Sequence, residues 1–200
     1  MSRSGVVASV AAVLLAVPAA AQAHLVNSGL GPFYDGALHL LLSPGDLLGL
    51  VAAALLAGLR GARAGRLTVT AVTLSWLLAG MIGMRLPVNP DLTWLSVVSF
   101  LILGLLVAMD ARLPPLAVAS LGAFYGALHG LLNGSALATM GAAPSALFGI
   151  VLTVMVIALL TAAAVVPVRA LWARVAVRVA GSWVVAVGML MLGWLAQGMA

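Results

Sequence analysis

Pro144-Ser-Ala-Leu-Phe-Gly-Ile-Val-Leu-Thr-Val-Met-Val-Ile-Ala-Leu-Leu-Thr-Ala-Ala-Ala-Val-Val166 runs 23 residues without a single charge. A helix needs about 20 predominantly apolar residues to cross the hydrocarbon core of a bilayer. Working outward from this stretch, charged or Pro-rich breaks cut the chain into similar apolar segments at about 33–59, 67–86, 92–109, 115–139, 144–166 and 171–197. Composition agrees: 64% of the residues are hydrophobic, 6% are charged and the mean hydropathy is +1.26. A soluble domain carries roughly a quarter of its residues as charges, so most of this surface must face lipid. The sequence therefore predicts an all-α integral membrane protein with six transmembrane helices across residues 24–200.

The first residues have a different purpose. Arg3, the apolar run Val6–Val17, Pro18 and Ala21-Gln22-Ala23 have the order of a signal peptide, with cleavage expected after Ala23. His24 would then be the first mature residue, on the outer side. Counting spans from there puts Arg60, Arg63, Arg66, Arg112, Arg169, Arg174 and Arg178 in inner loops and only Arg85 in an outer one. That bias matches the positive-inside rule. It predicts a multi-pass protein of the bacterial inner membrane with both mature termini on the periplasmic side. Trp94, Trp172 and Trp194 fall near helix ends, as interfacial anchors do.

The pI near 11.5 does not point to nucleic acid. The nine arginines are scattered by ones to threes among the loops and form no continuous track for a phosphate backbone. The absence of cysteine removes disulfides, thiolate metal sites and Cys nucleophiles together. No nucleophile elbow, Walker loop, HExxH or dinucleotide fingerprint is present, so no enzyme activity is expected.

Two halves of the chain echo each other. Phe33-Tyr34-Asp35-Gly36-Ala37-Leu38-His39 returns as Phe124-Tyr125-Gly126-Ala127-Leu128-His129, with three spans between the copies. The blocks then enter the bilayer from opposite sides, which is the mark of two inverted three-helix repeats.

Ionisable groups inside a membrane are costly and usually functional. Asp35, His39, Ser43 and Asp46 lie four, four and three residues apart, so a continuous helix would carry them as one polar stripe. Ser43-Pro44-Gly45-Asp46 also has the order of a helix start, so the span could instead break there. In the fourth span Gly122, Gly126, Gly130 and Gly134 form a small-residue ridge, with Gly45 and Gly49 as a pair in the first. These two helices are expected to cross face to face and to bring His39 near His129, with Asn133 one turn further on. His39, Asp46, His129, Asn133, Asp35 and His24 make a nitrogen and oxygen donor set suited to Ni²⁺, Co²⁺, Zn²⁺ or Cu²⁺ rather than Cu⁺. A structural His–Asp hydrogen bond is an equally common use of such residues, and both uses stay open here.

His24-Leu-Val-Asn-Ser-Gly-Leu-Gly-Pro-Phe-Tyr-Asp-Gly36, His39, Ser43-Pro-Gly-Asp-Leu-Leu48 and Leu128-His-Gly-Leu-Leu-Asn-Gly134 resemble the HupE/UreJ family across the whole mature chain. The resemblance implies a hydrogenase or urease accessory membrane protein acting as a secondary permease for Ni²⁺ or Co²⁺, carried as cargo and not as a bound cofactor. It also implies the maturation systems of those enzymes as partners. The better-known branch of the family has His-Pro-x-x-Gly-x-Asp-His in its first helix and a Glu in its fourth. Here Leu40 follows His39, Asp46 stands one position later, Leu47 replaces the second His, and there is no Glu. The chain then resembles a divergent branch in which His24, Asp35 and Asn133 complete the site. The alternative expectation is a non-transporting accessory protein that binds metal or a metalloenzyme at the outer face.

Overall fold

A computed structural model describes residues 28–86 and 92–198. The signal segment, its cleavage point and His24 lie outside the described residues. Among the described residues seven helices follow one another: α1 (Pro32–Leu42), α2 (Pro44–Leu59), α3 (Ala62–Gly83), α4 (Thr93–Ala108), α5 (Pro115–Thr139), α6 (Pro144–Val165) and α7 (Leu171–Gly198). Four of them, α3, α5, α6 and α7, are long and apolar enough to cross a membrane. A fifth crossing is available if α1 and α2 count together. At 16 residues, α4 rises only about 24 Å, less than the roughly 30 Å of a hydrocarbon core. The expected span at 92–109 is therefore shorter than the reading of the sequence implied.

The expected first span is two helices, not one. Proline has no N–H to donate and pushes its predecessor out of the helical region. Ser43 accordingly adopts φ −97 and ψ 94, and the axes of α1 and α2 meet at 74°. Ser43 occupies the N-cap position of α2, yet its hydroxyl turns back and donates to the His39 carbonyl at 2.7 Å. The continuous polar stripe does not exist, because the break sends Asp46 in a different direction from Asp35 and His39.

Small residues set the packing. α2 buries an unbroken run from Ala52 to Gly58, so it lies at the centre of the bundle. The most extensive contact is between α3 and α5. There, a side chain added at Gly126, Gly130 or Gly134 would strike the backbone of Val72, Trp76 or Gly80. The expected partner of this ridge was the first span, and the partner is α3. The reason is helical phase: His129 and Gly130 are neighbours in sequence and so point about 100° apart. One face goes to α3 and the other to α2. Gly122 lies on the same α3 face, beside Thr68. Gly49 packs on the Tyr125 ring and Gly45 only approaches Phe100. Elsewhere α1 and α2 pack on α6, and α4 packs on α7.

One end of the bundle is fastened by charge. Asp110, just past α4, has a positive φ of 50. Its carboxylate pairs with Arg60 at the end of α2 and with Arg174 of α7 at 2.5 Å. Arg178 adds a bond from Nε to the Ala108 carbonyl at 2.9 Å. Three helix ends are tied through one aspartate. Trp94, Trp172 and Trp194 are exposed near the ends of α4 and α7.

Candidate functional site

Tyr125, His129 and Asn133 recur every four residues and therefore share one face of α5. All three are buried. They face the first turn of α2, where Asp46 reaches across from the helix break. His129 Nδ1 lies 2.5 Å from Asp46 Oδ1, and the Asn133 amide donates to Asp46 Oδ2 at 3.0 Å and to the His129 carbonyl at 2.8 Å. The Tyr125 hydroxyl spans the Asp46 and Gly45 carbonyls, at 2.6 and 3.1 Å. Its ring stacks on the imidazole with centroids 4.1 Å apart and planes inclined by 30°. Trp76 of α3 closes the aromatic wall, 5.8 Å from the imidazole and 5.9 Å from the Tyr125 ring.

The hydrogen bonds restrict where protons sit. Ser99 Oγ donates to the Ser96 carbonyl at 2.6 Å and stands 3.1 Å from His129 Nε2. A hydroxyl has one hydrogen, and the shorter contact takes it. His129 must then donate from Nε2, and a single further proton is held between Nδ1 and the Asp46 carboxylate. Such charge-assisted contacts are short and strong. With the imidazole buried and the carboxylate largely so, each partner depends on the other.

Asn133 Oδ1 is left over. It is buried and accepts no hydrogen bond in the described residues. An orphaned buried acceptor costs about 1–3 kcal/mol, and its donor-free oxygen beside a carboxylate and an imidazole suits a cation. The Trp76 indole N–H is likewise buried and unpaired.

The other expected site residues stand apart. His39 is buried in α1 and makes no hydrogen bond to Asp46. Asp35 accepts from the Ser28 backbone and hydroxyl at 2.7 and 2.6 Å and anchors the start of α1. Among the described residues no three His, Asp or Glu side chains converge as a ready-made metal cluster. The expected His39–His129 meeting is replaced by Asp46–His129. The break at Ser43 carries Asp46, not His39, to α5.

Three residues of the site went unforeseen. Tyr125 was detectable, since it lies one turn before His129 on the same stripe. Ser99 and Trp76 come from other helices, and no spacing along the chain reports them. Between α4 and α5 a cavity of about 110 Å³ is lined by Ser99, Ile102, Leu103, Leu121, Phe124 and Tyr125. It reaches the two residues that flank the His129 ring.

These features define an all-α protein of apolar helices with a largely buried acid–imidazole–amide cluster at a broken helix. The chain belongs to the HupE/UreJ family: the family model described as HupE / UreJ protein matches residues 11–191. This is a family of accessory membrane proteins and not of known enzymes. No curated protein matches the chain, and no solved structure does either.

Proposed function

We propose that this chain is a permease that moves a divalent transition metal, nickel or cobalt, across the bacterial inner membrane. The observation that carries the reading is the unpaired Asn133 oxygen, buried beside the Asp46–His129 pair at the break between α1 and α2. His129 Nδ1, an Asp46 oxygen and Asn133 Oδ1 are nitrogen and oxygen donors of the kind such ions accept. Ligation requires the proton shared by Asp46 and His129 to leave, as metal binding to protonated ligands generally does. His39, across the break, would be the donor met on the way in or out.

Packing supports an inverted repeat as the frame of the site. The matched blocks put Gly36 against Ala146 of α6 and Gly126 against Val72 of α3. In two three-span halves, those are the contacts that exchange of the halves would interchange. Broken helices at such an interface are where secondary transporters hold ions. On this reading both mature termini face the periplasm and a cleaved signal precedes His24. Hydrogenase or urease maturation is then the consumer of the metal, in keeping with the family's accessory role.

A second reading is favoured by the lack of three converging acidic or imidazole ligands among the described residues. It makes the chain a non-transporting accessory protein that binds metal or a metalloenzyme at the outer face, with His24 as ligand. Nickel and cobalt accumulation in cells decides between them, comparing the chain with its H39A/H129A variant at equal abundance. Uptake lost in the variant supports the permease. Uptake no greater than in empty-vector cells for both proteins refutes it, and metal binding that depends on His24 but not His129 would then establish the accessory role.

A further inference from the structure

Among the described residues the carboxylates are soon exhausted. Asp110 is shared by Arg60 and Arg174, Asp46 is bound to His129, and Asp35 is held by Ser28. Arg63, Arg66, Arg112 and Arg169 are all exposed at the same end and have no carboxylate partner among the described residues. The structure leaves that positive charge to be met by something outside the chain.

Two of these arginines stand at a groove. Between the start of α3 and the end of α6 lies a trough of about 280 Å³, lined by Ala62, Gly65 and Arg66 on one side and Leu159, Ala163 and Val166 on the other. Its floor is made of small residues: a side chain at Gly65 would do no more than touch Ala162 and Val166. Its rim is open to the bilayer, since Leu159 and Leu160 beside it are 52% and 64% exposed. Arg66 lies in the lining. The Arg169 guanidinium is fixed at the same end by donating to the carbonyl of Val166, a lining residue, at 3.1 Å.

We infer that this trough binds one anionic phospholipid, with an acyl chain between α3 and α6 and its phosphate against Arg66 and Arg169. The ligand must be amphiphilic to use both parts of the site. A soluble anion would leave the apolar trough empty, and a zwitterionic lipid would leave the guanidinium charge uncompensated. Basic pockets between membrane helices on the inner side take anionic headgroups for this reason. The site is remote from Asp46 and His129 and does not depend on what the chain transports.

The test is native mass spectrometry of the delipidated full-length protein, titrated with phosphatidylglycerol and with phosphatidylcholine of the same acyl chains. Phosphatidylglycerol should bind more tightly. In R66Q/R169Q that preference should fall by about fivefold for each arginine removed. A163F keeps both charges and fills the trough from its exposed rim, and it should also lose the tight phosphatidylglycerol site. All three positions are exposed, so an unchanged thermal unfolding curve certifies each variant. Equal binding of the two lipids by the parent protein would overturn the inference. So would a preference that survives either variant, or a concentration-dependent dimer abolished by A163F, which would make the groove a contact between two copies.

Discussion

Asp46 and His129 meet at 2.5 Å across 83 positions of sequence, the one carboxylate–imidazole pair among the described residues. Removing the imidazole leaves a carboxylate that is only 14% exposed without its counter-charge, which costs up to about 3–5 kcal/mol in buried pairs. H129A should therefore lower the unfolding midpoint in detergent markedly, and D46N/H129A should recover part of the loss. Equal midpoints for H129A and the parent protein would mean that the pair is hydrated or unformed.

The Tyr125 hydroxyl fixes the first turn of α2 by donating to the Asp46 carbonyl at 2.6 Å, with the Gly45 carbonyl 3.1 Å away. Y125F removes that bond and should cost about 1 kcal/mol. G49A is the sharper probe, because the added carbon would collide with the Tyr125 ring. Metal uptake should fall in G49A at unchanged abundance, and more than in Y125F. The reverse order would show that the hydroxyl matters to uptake and the seat of the ring does not.

Close approach of α3 and α5 has a simple readout. A side-chain carbon at Gly134 would press into the Gly80 backbone, whereas one at Gly193 would meet nothing within 4 Å. G134A should destabilise by about 1–3 kcal/mol, as overpacking does. G193A should be neutral, or stabilising by up to about 1 kcal/mol through helix propensity. Thermal unfolding of the two variants side by side checks both signs.

Asp110 gives the pH dependence. Burial raises its pKa, but the Arg174 hydrogen bond and the charges of Arg60 and Arg174 outweigh that and hold it below the usual carboxylate value. A lowered folded-state pKa means that the stabilisation is complete above the unfolded pKa of about 3.9. It is lost as pH falls through the folded value. Asparagine tolerates the positive φ of 50 found here, so D110N isolates the charge. The gap in unfolding midpoint between parent and D110N should be constant from neutral pH to about 5 and close below about 4. A gap that persisted in acid would assign the effect to backbone geometry.

Much of this could be read from the sequence, for identifiable reasons. Long charge-free runs such as 144–166 have few alternatives to a membrane helix, and Ser43-Pro44 announced a break through proline's missing donor. Asp46, His129 and Asn133 were singled out because polar groups are rare in so apolar a chain. What could not be read was phase. Glycines at 122, 126, 130 and 134 specify a close approach but not its partner, and the one-residue offset from His129 turned the ridge to α3. Ser99 and Trp76 carry no local signal, since their importance comes from α3 and α4 arriving beside α5. His39 was grouped with His129 by motif symmetry, and the bend at Ser43 separated their roles.

The 74° break also bears on how the chain is made. At 11 residues, α1 rises about 16 Å and cannot cross a bilayer alone. It packs on α6, which begins only at Pro144. At about 5–20 residues per second, the ribosome takes on the order of 5–20 s to deliver that partner. Throughout this interval the nascent chain carries a half-span and an Asp46 whose His129 is not yet in the membrane. For α1 the order of synthesis and the order of packing therefore part company: it is made before the other described helices, yet its main partner arrives only after α2 to α5 have been made.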